Sequence, residues 1–288
     1  GFACSILRGF SRRGDRWCGL VIMPACIAAE IARHEAGKVF GPVTDGQFHF
    51  SQKSAMGTAV LILPFNFPIV VMCWEAAAAL SAGNAVIVKP SENTALTTIK
   101  FMEAFECLPK GLVQCVTGGV RVGQQLVQSR DTHVVAFTGS IPAGQAIATA
   151  CAKTFKRVLI EASGNDPFLV MPSAPLDIAA RGAAFAANLN CGQVCVSAER
   201  FFVHDSIYDE FVEKVVDEVA KIRIGNGLDK VDMGPMVRAT PEAIAVWEAW
   251  MPLRAMNAAV ATARKRLEAL APSRRRAAVA GPWRADVA

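Results

Sequence analysis

The chain has 288 residues, 52% of them hydrophobic, which is enough for a sizeable core and marks a globular chain of one large or two modest domains. Its nine cysteines, odd in number and without regular close spacing, argue against a secreted disulfide framework and for a reducing, cytoplasmic compartment. The formal net charge of +5 collects at the two ends, around Arg8 to Arg16 and Arg264 to Arg276, as solvated faces or tails; no aromatic or motif support for nucleic-acid binding accompanies it.

The basic residues Arg8 to Arg16 are followed by no clean hydrophobic stretch with a small-residue cleavage site, so no signal peptide is expected. The apolar run from Met56 to Trp74 approaches the length of a membrane span. Pro64, Asn66 and Pro68 split it into a strand over Thr58 to Leu63, a turn and a helix over Ile69 to Leu80, so no membrane is expected as a partner. Short β-branched runs then alternate with helical ones. Strands are predicted over Ala85 to Val88, Leu112 to Val116, Val134 to Phe137 and Arg157 to Ile160. Helices are predicted over Thr97 to Phe105, Val122 to Gln128 and Ala143 to Lys153. That rhythm predicts a mainly parallel sheet covered by helices, which binds ligands at the carboxyl ends of its strands. A second domain is expected just after Gly164, with a helix over Asp177 to Asn188, a cysteine loop, a strand over Arg200 to Val203 and an amphipathic helix over Tyr208 to Val219.

Five short motifs sit at the ends of these elements. Asn190-Cys191-Gly192-Gln193-Val194-Cys195 places cysteines among small and amide residues on a loop, where a thiolate nucleophile could be presented; alone, such a cysteine is more often core filler. Cys191 and Cys195 have no second pair, and with only four histidines in the chain no metal site is expected. Pro64-Phe65-Asn66-Phe67-Pro68 follows the first strand, where an isolated asparagine would serve as a turn residue. Lys89-Pro90-Ser91-Glu92 follows the second strand. Phe137-Thr138-Gly139-Ser140, with Gly144, places glycine and hydroxyl groups at a helix start with Pro142 in its first turn, where free N–H groups can cradle a pyrophosphate. Glu161 ends the apolar run Val158-Leu159-Ile160 and precedes small residues, a setting suited to a general base.

In this order the motifs resemble the aldehyde dehydrogenase superfamily, whose pattern runs P-[WF]-N-[FY]-P, K-P-x-E, F-T-G-S-x-x-x-G, E-x-x-G and N-x-G-Q-x-C-x-x-x-x-R. The resemblance covers about Ala55 to Val237, with a weaker echo at Ile31 to Lys38. It implies a Rossmann-like parallel-sheet domain followed by a partial α/β catalytic domain, divided as an N-terminal segment 1–54, a dinucleotide-binding domain 55–164, a nucleophile-bearing part 165–237 and an Ala/Arg-rich tail 238–288. It also implies an oxidoreductase that converts a small-molecule aldehyde to a carboxylic acid through a cysteine thiohemiacetal and thioester. Cys195 would be the nucleophile, Asn66 and the Cys195 backbone N–H the oxyanion donors, and Glu161 the base, at the family's usual spacing before the cysteine. Pro64, Phe65, Lys89, Ser91, Glu92, Gly119, Thr138, Gly139, Ser140 and Gly144 would hold the cofactor. Glu92 favours NAD, while Lys89 admits NADP.

Two departures accompany the resemblance. The interval between Lys38 and Pro64 is about half the family's length there, short of a helix and the start of a hairpin used in subunit contact, so the oligomerisation elements of this usually homo-oligomeric family are expected to be absent. Beyond Val237 no E-x-F-G-P motif follows; the tail, with Trp247, Trp250 and Trp283, is not expected to complete an active site. The chain therefore reads as a member truncated or frame-disrupted at both ends. Two rival readings are a non-catalytic remnant that binds dinucleotide or a protein partner, and a thiol hydrolase pairing Cys195 with His133 or His204.

Overall fold

The computed structural model describes residues 18–34, 37–42 and 44–237, together with the backbone of 283–287, and the chain divides between Ser163 and Gly164 into two units. The first unit opens with helix α1 (Cys18–His34), whose last turn carries Arg33 and His34 at the negative end of the helix dipole. An antiparallel ribbon follows, formed by β1 (Lys38–Phe40) and β2 (His49–Ser51) with Lys38 opposite Ser51. The short interval between Lys38 and Pro64 thus holds an antiparallel ribbon. Glycine is the reason: Gly37 at φ 115° brings β1 against the Ser51 carbonyl, and Gly46 at φ 81° adopts a turn conformation that other residues avoid.

Five parallel strands form the sheet of this unit: β3 (Thr58–Ile62), β4 (Ala85–Lys89), β5 (Val113–Cys115), β6 (Val134–Gly139) and β7 (Arg157–Ala162), in the order β5-β4-β3-β6-β7. Helices α2 (Pro68–Ser81), α3 (Ala95–Phe101), α4 (Val120–Gln128) and α5 (Ile141–Ala152) make the crossovers. The pleat of β3 divides its side chains between two cores. Ala59, Leu61 and Leu63 pack with α2, β4 and Phe105, while Val60 and Ile62 pack with Val127 of α4 and Cys151 of α5. Helices therefore cover both faces, which is why these strands read as continuous apolar runs. Lys156, just before β7, ties this arrangement together by donating from Nζ to the Val127 carbonyl at 2.6 Å, the Ser129 carbonyl at 2.7 Å and Thr132 Oγ1 at 2.7 Å.

The strand–helix alternation of the sequence is the one observed. Where a helix was predicted to Phe105, α3 stops at Phe101 and a 3₁₀ turn (Met102–Phe105) completes it. The second unit contains β8 (Asp166–Val170), α6 (Leu176–Asn188), β9 (Ala198–His204), α7 (Tyr208–Ala220) and β10 (Trp283–Val287). Its sheet has the order β10-β9-β8, with β8 parallel and β10 antiparallel to β9. Val170, Ala183, Val203 and Phe211 form its core, and Lys214 Nζ reaches Asp177 Oδ1 at 2.6 Å to link α7 to α6. Strand β8 was not among the predicted strands; its Pro167, a residue that disfavours strands, is accommodated at a register shift between Asp166 and Pro167. In the segment read as a foreign tail, the backbone of 283–287 adds a strand to this sheet, while Trp247 and Trp250 lie outside the described residues.

Leu61 is 1% exposed in the middle of the central strand. Leu61→Ala is expected to lower stability by about 2–5 kcal/mol, read from urea unfolding followed by circular dichroism.

Candidate active site

In the first unit the sequence-predicted residues lie at the carboxyl ends of the strands. After β3 the chain bends through Pro64, Phe65 and Asn66, all half-buried, and enters α2 at Pro68, whose ring suits the first helical turn. Lys89, the last residue of β4, is 5% exposed. Its Nζ donates to the Pro90 carbonyl at 3.0 Å and stands 4.0 Å from Glu92 Oε2. Gly119 and Gly123 leave room here: a Cβ on Gly123 would lie 3.5 Å from Lys89 Cδ and Cε, and one on Gly119 would lie 3.3 Å from Glu92 Oε1. Ser91 serves a local purpose, accepting from the Asn93 N–H at 3.4 Å to cap the 3₁₀ turn Glu92–Thr94.

At the end of β6, Gly139 and Gly144 have packing reasons besides any ligand. A Cβ on Gly139 would sit 2.7 Å from Phe137 Cζ, and one on Gly144 would sit 3.0 Å from Ile160 Cγ2, so glycine at 144 lets α5 close on β7. Ser140, extended at φ −73°, precedes α5 without a side-chain capping bond, which leaves the first-turn N–H groups of Ile141 and Ala143 without side-chain acceptors from that residue. Thr138 is buried, and its hydroxyl donates to Glu75 Oε1 at 3.0 Å rather than standing open to a ligand.

Glu75 was overlooked in the sequence, although it is the sole charge in Ile69-Val70-Val71-Met72-Cys73-Trp74-Glu75-Ala76-Ala77-Ala78-Ala79-Leu80. Its Oε2 is sealed from solvent without a hydrogen-bond partner among the described residues. Burial pushes its carboxyl up to about 7; the Thr138 hydrogen bond opposes the shift and the charge of Glu161 adds to it. Glu161 is exposed on β7 and is the direct register partner of Thr138 on β6.

The cysteine loop of the second unit begins with an unusual backbone. Asn190 (φ 53°, ψ 36°), Cys191 (φ 61°, ψ 32°) and Gly192 (φ 71°) are left-handed in succession. Each non-glycine residue in that conformation costs about 1–2 kcal/mol, so local hydrogen bonds must offset it. Gln193 Nε2 donates to the Asn190 carbonyl at 2.9 Å, and Asn190 Nδ2 returns a bond to the Gln193 carbonyl at 3.4 Å. Cys195 is half-buried in a turn closed by the Ser197 N–H on the Val194 carbonyl at 3.1 Å, and Ser197 Oγ donates to the Ala186 carbonyl of α6 at 3.1 Å.

The spacing around this loop has local physical causes. Gly164 is needed because a Cβ there would lie 2.8 Å from the Cys195 carbonyl oxygen. Arg200 donates from Nε and Nη2 to the Asn165 carbonyl at 3.0 and 2.6 Å, and the Asp166 N–H donates to Glu199 Oε2 at 3.1 Å, so residues on both sides of Cys195 are anchored. Cys191 is occupied differently: its Sγ donates to the Gly234 carbonyl at 3.0 Å, and burial pushes its thiol up. Both candidate histidines make local hydrogen bonds. His133 precedes β6, at the end of the strand opposite Thr138, and its Nδ1 accepts from the Thr58 N–H at 3.0 Å. His204 ends β9, the strand that Cys195 precedes, and its Nδ1 is 2.9 Å from Ser206 Oγ.

The burial of Glu75 has a measurable consequence. Its folded-state affinity for a proton exceeds that of an ordinary carboxyl, near 4.5, so the unfolded chain releases that proton first as pH rises. Stability is expected to be unaffected by Glu75 below pH 4.5 and to fall as pH rises from 4.5 to about 7, by up to about 3 kcal/mol. Glu75→Gln should flatten that part of the profile in urea titrations, at a pH-independent cost of about 1–3 kcal/mol for its buried amide.

Comparison with known proteins identifies relatives of this chain. The sequence profile of the aldehyde dehydrogenase family matches residues 21–271, extending on both sides of the motif-bearing stretch 55–237. Human mitochondrial 10-formyltetrahydrofolate dehydrogenase is 39% identical over 191 residues, covering 65% of this chain and 21% of that protein. Betaine aldehyde dehydrogenase of Brucella ovis is 40% identical over 197 residues, covering 67% of this chain and 40% of that protein. A crystal structure of betaine aldehyde dehydrogenase from Staphylococcus aureus in complex with NAD+ superposes with a TM-score of 0.71 at 30% identity, over 76% of this chain and 44% of that one. The chain thus spans less than half the length of each of these relatives. With its motifs, sheet order and profile match in agreement, the chain belongs to the aldehyde dehydrogenase family.

Proposed function

We propose that the protein oxidises an aldehyde to a carboxylic acid with NAD, or NADP, through a thiohemiacetal and a thioester on Cys195. The observation that carries this reading is the set of motif residues at the carboxyl ends of β3, β4 and β6, where the strand order of the sheet reverses, in a chain of this family. The residues present fit a dinucleotide. Gly119 keeps space beside Glu92, and the start of α5 offers backbone donors to a pyrophosphate. Lys89 and Glu92 would hold the adenosine ribose, with Pro64, Phe65 and Ser91 beside them and Gly139, Ser140 and Gly144 shaping the phosphate end. When bound, the cofactor supplies the hydride acceptor.

The remaining chemistry falls to side chains of this chain. Cys195 Sγ forms a bond to the aldehyde carbon, and the resulting oxyanion accepts hydrogen bonds from the Asn66 amide and the Cys195 backbone N–H. One such donor contributes about 3–4 kcal/mol to lowering the barrier. Loss of hydride from that carbon leaves a thioester. Glu161 then takes a proton from water, whose oxygen attacks the thioester carbon; the C–S bond breaks and Cys195 departs as thiolate. The exposure of Glu161 supports this role, since its carboxylate is open to water. Cys191, with a thiol raised by burial and bonded to the Gly234 carbonyl, is the poorer nucleophile.

Fluorescence titration of the purified chain with NAD, followed by a propanal assay, tests this reading. Binding is expected, and Lys89→Ala should weaken it about tenfold or more through loss of a charge-assisted hydrogen bond. Binding without turnover would favour a dinucleotide-binding protein that is not an enzyme, and neither would sink the proposal. Iodoacetamide at neutral pH should modify Cys195 ahead of Cys191 in peptide mass spectra; the reverse order would remove Cys195 from the nucleophile role. In an active preparation, Glu161→Gln should slow steady turnover far more than the first burst of NADH, whereas equal loss of both would make Glu161 the activator of the thiol instead.

A further inference from the structure

The left-handed stretch 190–192 does not stand alone. Gln193 uses both ends of its amide: Nε2 donates to the Asn190 carbonyl at 2.9 Å, while Oε1 accepts from the Val237 N–H at 3.2 Å. Three residues before Val237, the Gly234 carbonyl accepts from Cys191 Sγ at 3.0 Å. Two neighbouring side chains of the cysteine loop therefore grip two points of one short segment, 234–237. That segment is itself held in place from its other side, where Arg223 clamps Asp232 with Nε to Oδ2 at 2.8 Å and Nη2 to Oδ1 at 2.9 Å, and the Gly225 N–H donates to the Met233 carbonyl at 3.1 Å. A residue type with both a donor and an acceptor is required at 193, because one atom must bind the loop and the other must bind the segment.

We propose that Gln193 and Cys191 are positioning residues for the Cys195 turn: they dock the left-handed 190–192 stretch onto segment 234–237 and so determine where the chain leaves α6 and presents Cys195. The inference rests on Cys195 being the nucleophile for its catalytic meaning, but the docking itself is independent of that role. Glutamine at 193 is then needed for its two-ended amide, and cysteine at 191 for its thiol donor and its small side chain in a left-handed position. Glutamate at 193 keeps the acceptor for Val237 and loses the donor to Asn190; serine at 191 keeps a donor for Gly234 and alanine does not.

The test uses the full chain and two readouts that do not require turnover. The first is amide hydrogen exchange at Val237; the second is the ratio of Cys195 to Cys191 labelling by iodoacetamide. In Gln193→Ala, exchange at Val237 should accelerate about tenfold or more, and the labelling ratio should fall because Cys191 is released, with the unfolding midpoint of the whole chain little changed. Gln193→Glu should retain slow exchange at Val237. Cys191→Ala should accelerate that exchange and Cys191→Ser should restore it, a pair that remains informative if Gln193→Ala does not fold. Unchanged exchange at Val237 in both alanine variants would overturn the proposal. Slow labelling of Cys195 in the unsubstituted chain, with Cys191 equally protected and Val237 exchanging slowly, would instead overturn the nucleophile assignment and leave the docking standing.

Discussion

Strand β3 is hydrogen-bonded in parallel to β4 on one edge and to β6 on the other, and its residues from Ala59 to Ile62 are buried between two layers of helices. The sheet cannot continue in chain order past this strand. The first three strands run outward from it through β4 to β5, and the next two run the other way through β6 to β7, so the crossovers α2 and α5 leave β3 and β6 on opposite faces. The gap that this reversal opens at the carboxyl ends is where a flat ligand can enter. Asn66, Lys89 and Thr138 all follow or end strands at that edge because of the same constraint, and Leu63 prolongs it by donating its N–H to the Lys89 carbonyl at 3.0 Å.

A second constraint is the burial of Glu75 in an otherwise apolar helix. A carboxyl in that position has only Thr138 to satisfy it, and its other oxygen has no partner among the described residues. The chain carries an unfavourable group at the end of β6, beside the register position of Glu161. Buried groups without full hydrogen bonding are costly, and their persistence concentrates near sites of function. The burial also explains why Thr138 does not face a ligand: its one hydroxyl proton is directed to the carboxylate.

The cysteine loop obeys a different logic, in which backbone rather than side-chain burial dominates. Left-handed residues at 190 and 191 turn the chain sharply out of α6, while Ser197, Arg200 and Gly164 hold its exit. Gly164 and Gly144 illustrate how one residue type answers two needs. At 164 the backbone carbonyl of Cys195 occupies the space of a side chain, and at 144 a branched side chain of β7 does so.

Much of this was legible in the amino-acid order, because hydrophobic period and turn chemistry are local. The alternation of β-branched and alanine-rich runs placed the strands and helices of the parallel sheet, and the prolines at 64 and 68 separated β3 from α2. Motif residues at strand ends followed from the same periodicity, and the resemblance they carried led to the family. What local pattern could not reach was set by distant partners. The ribbon β1–β2 depends on glycine conformations and cross-strand pairing, β8 overcomes its proline only by pairing with β9, and Glu75 acquires its character from burial in the folded unit, opposed by a hydrogen bond from a threonine 63 residues away. Likewise the sequence displayed Gln193 and Cys191 as parts of a motif, but only folding brings residues 234–237 back to them, since a hydrogen bond between positions 43 or 44 apart has no signature in either segment alone.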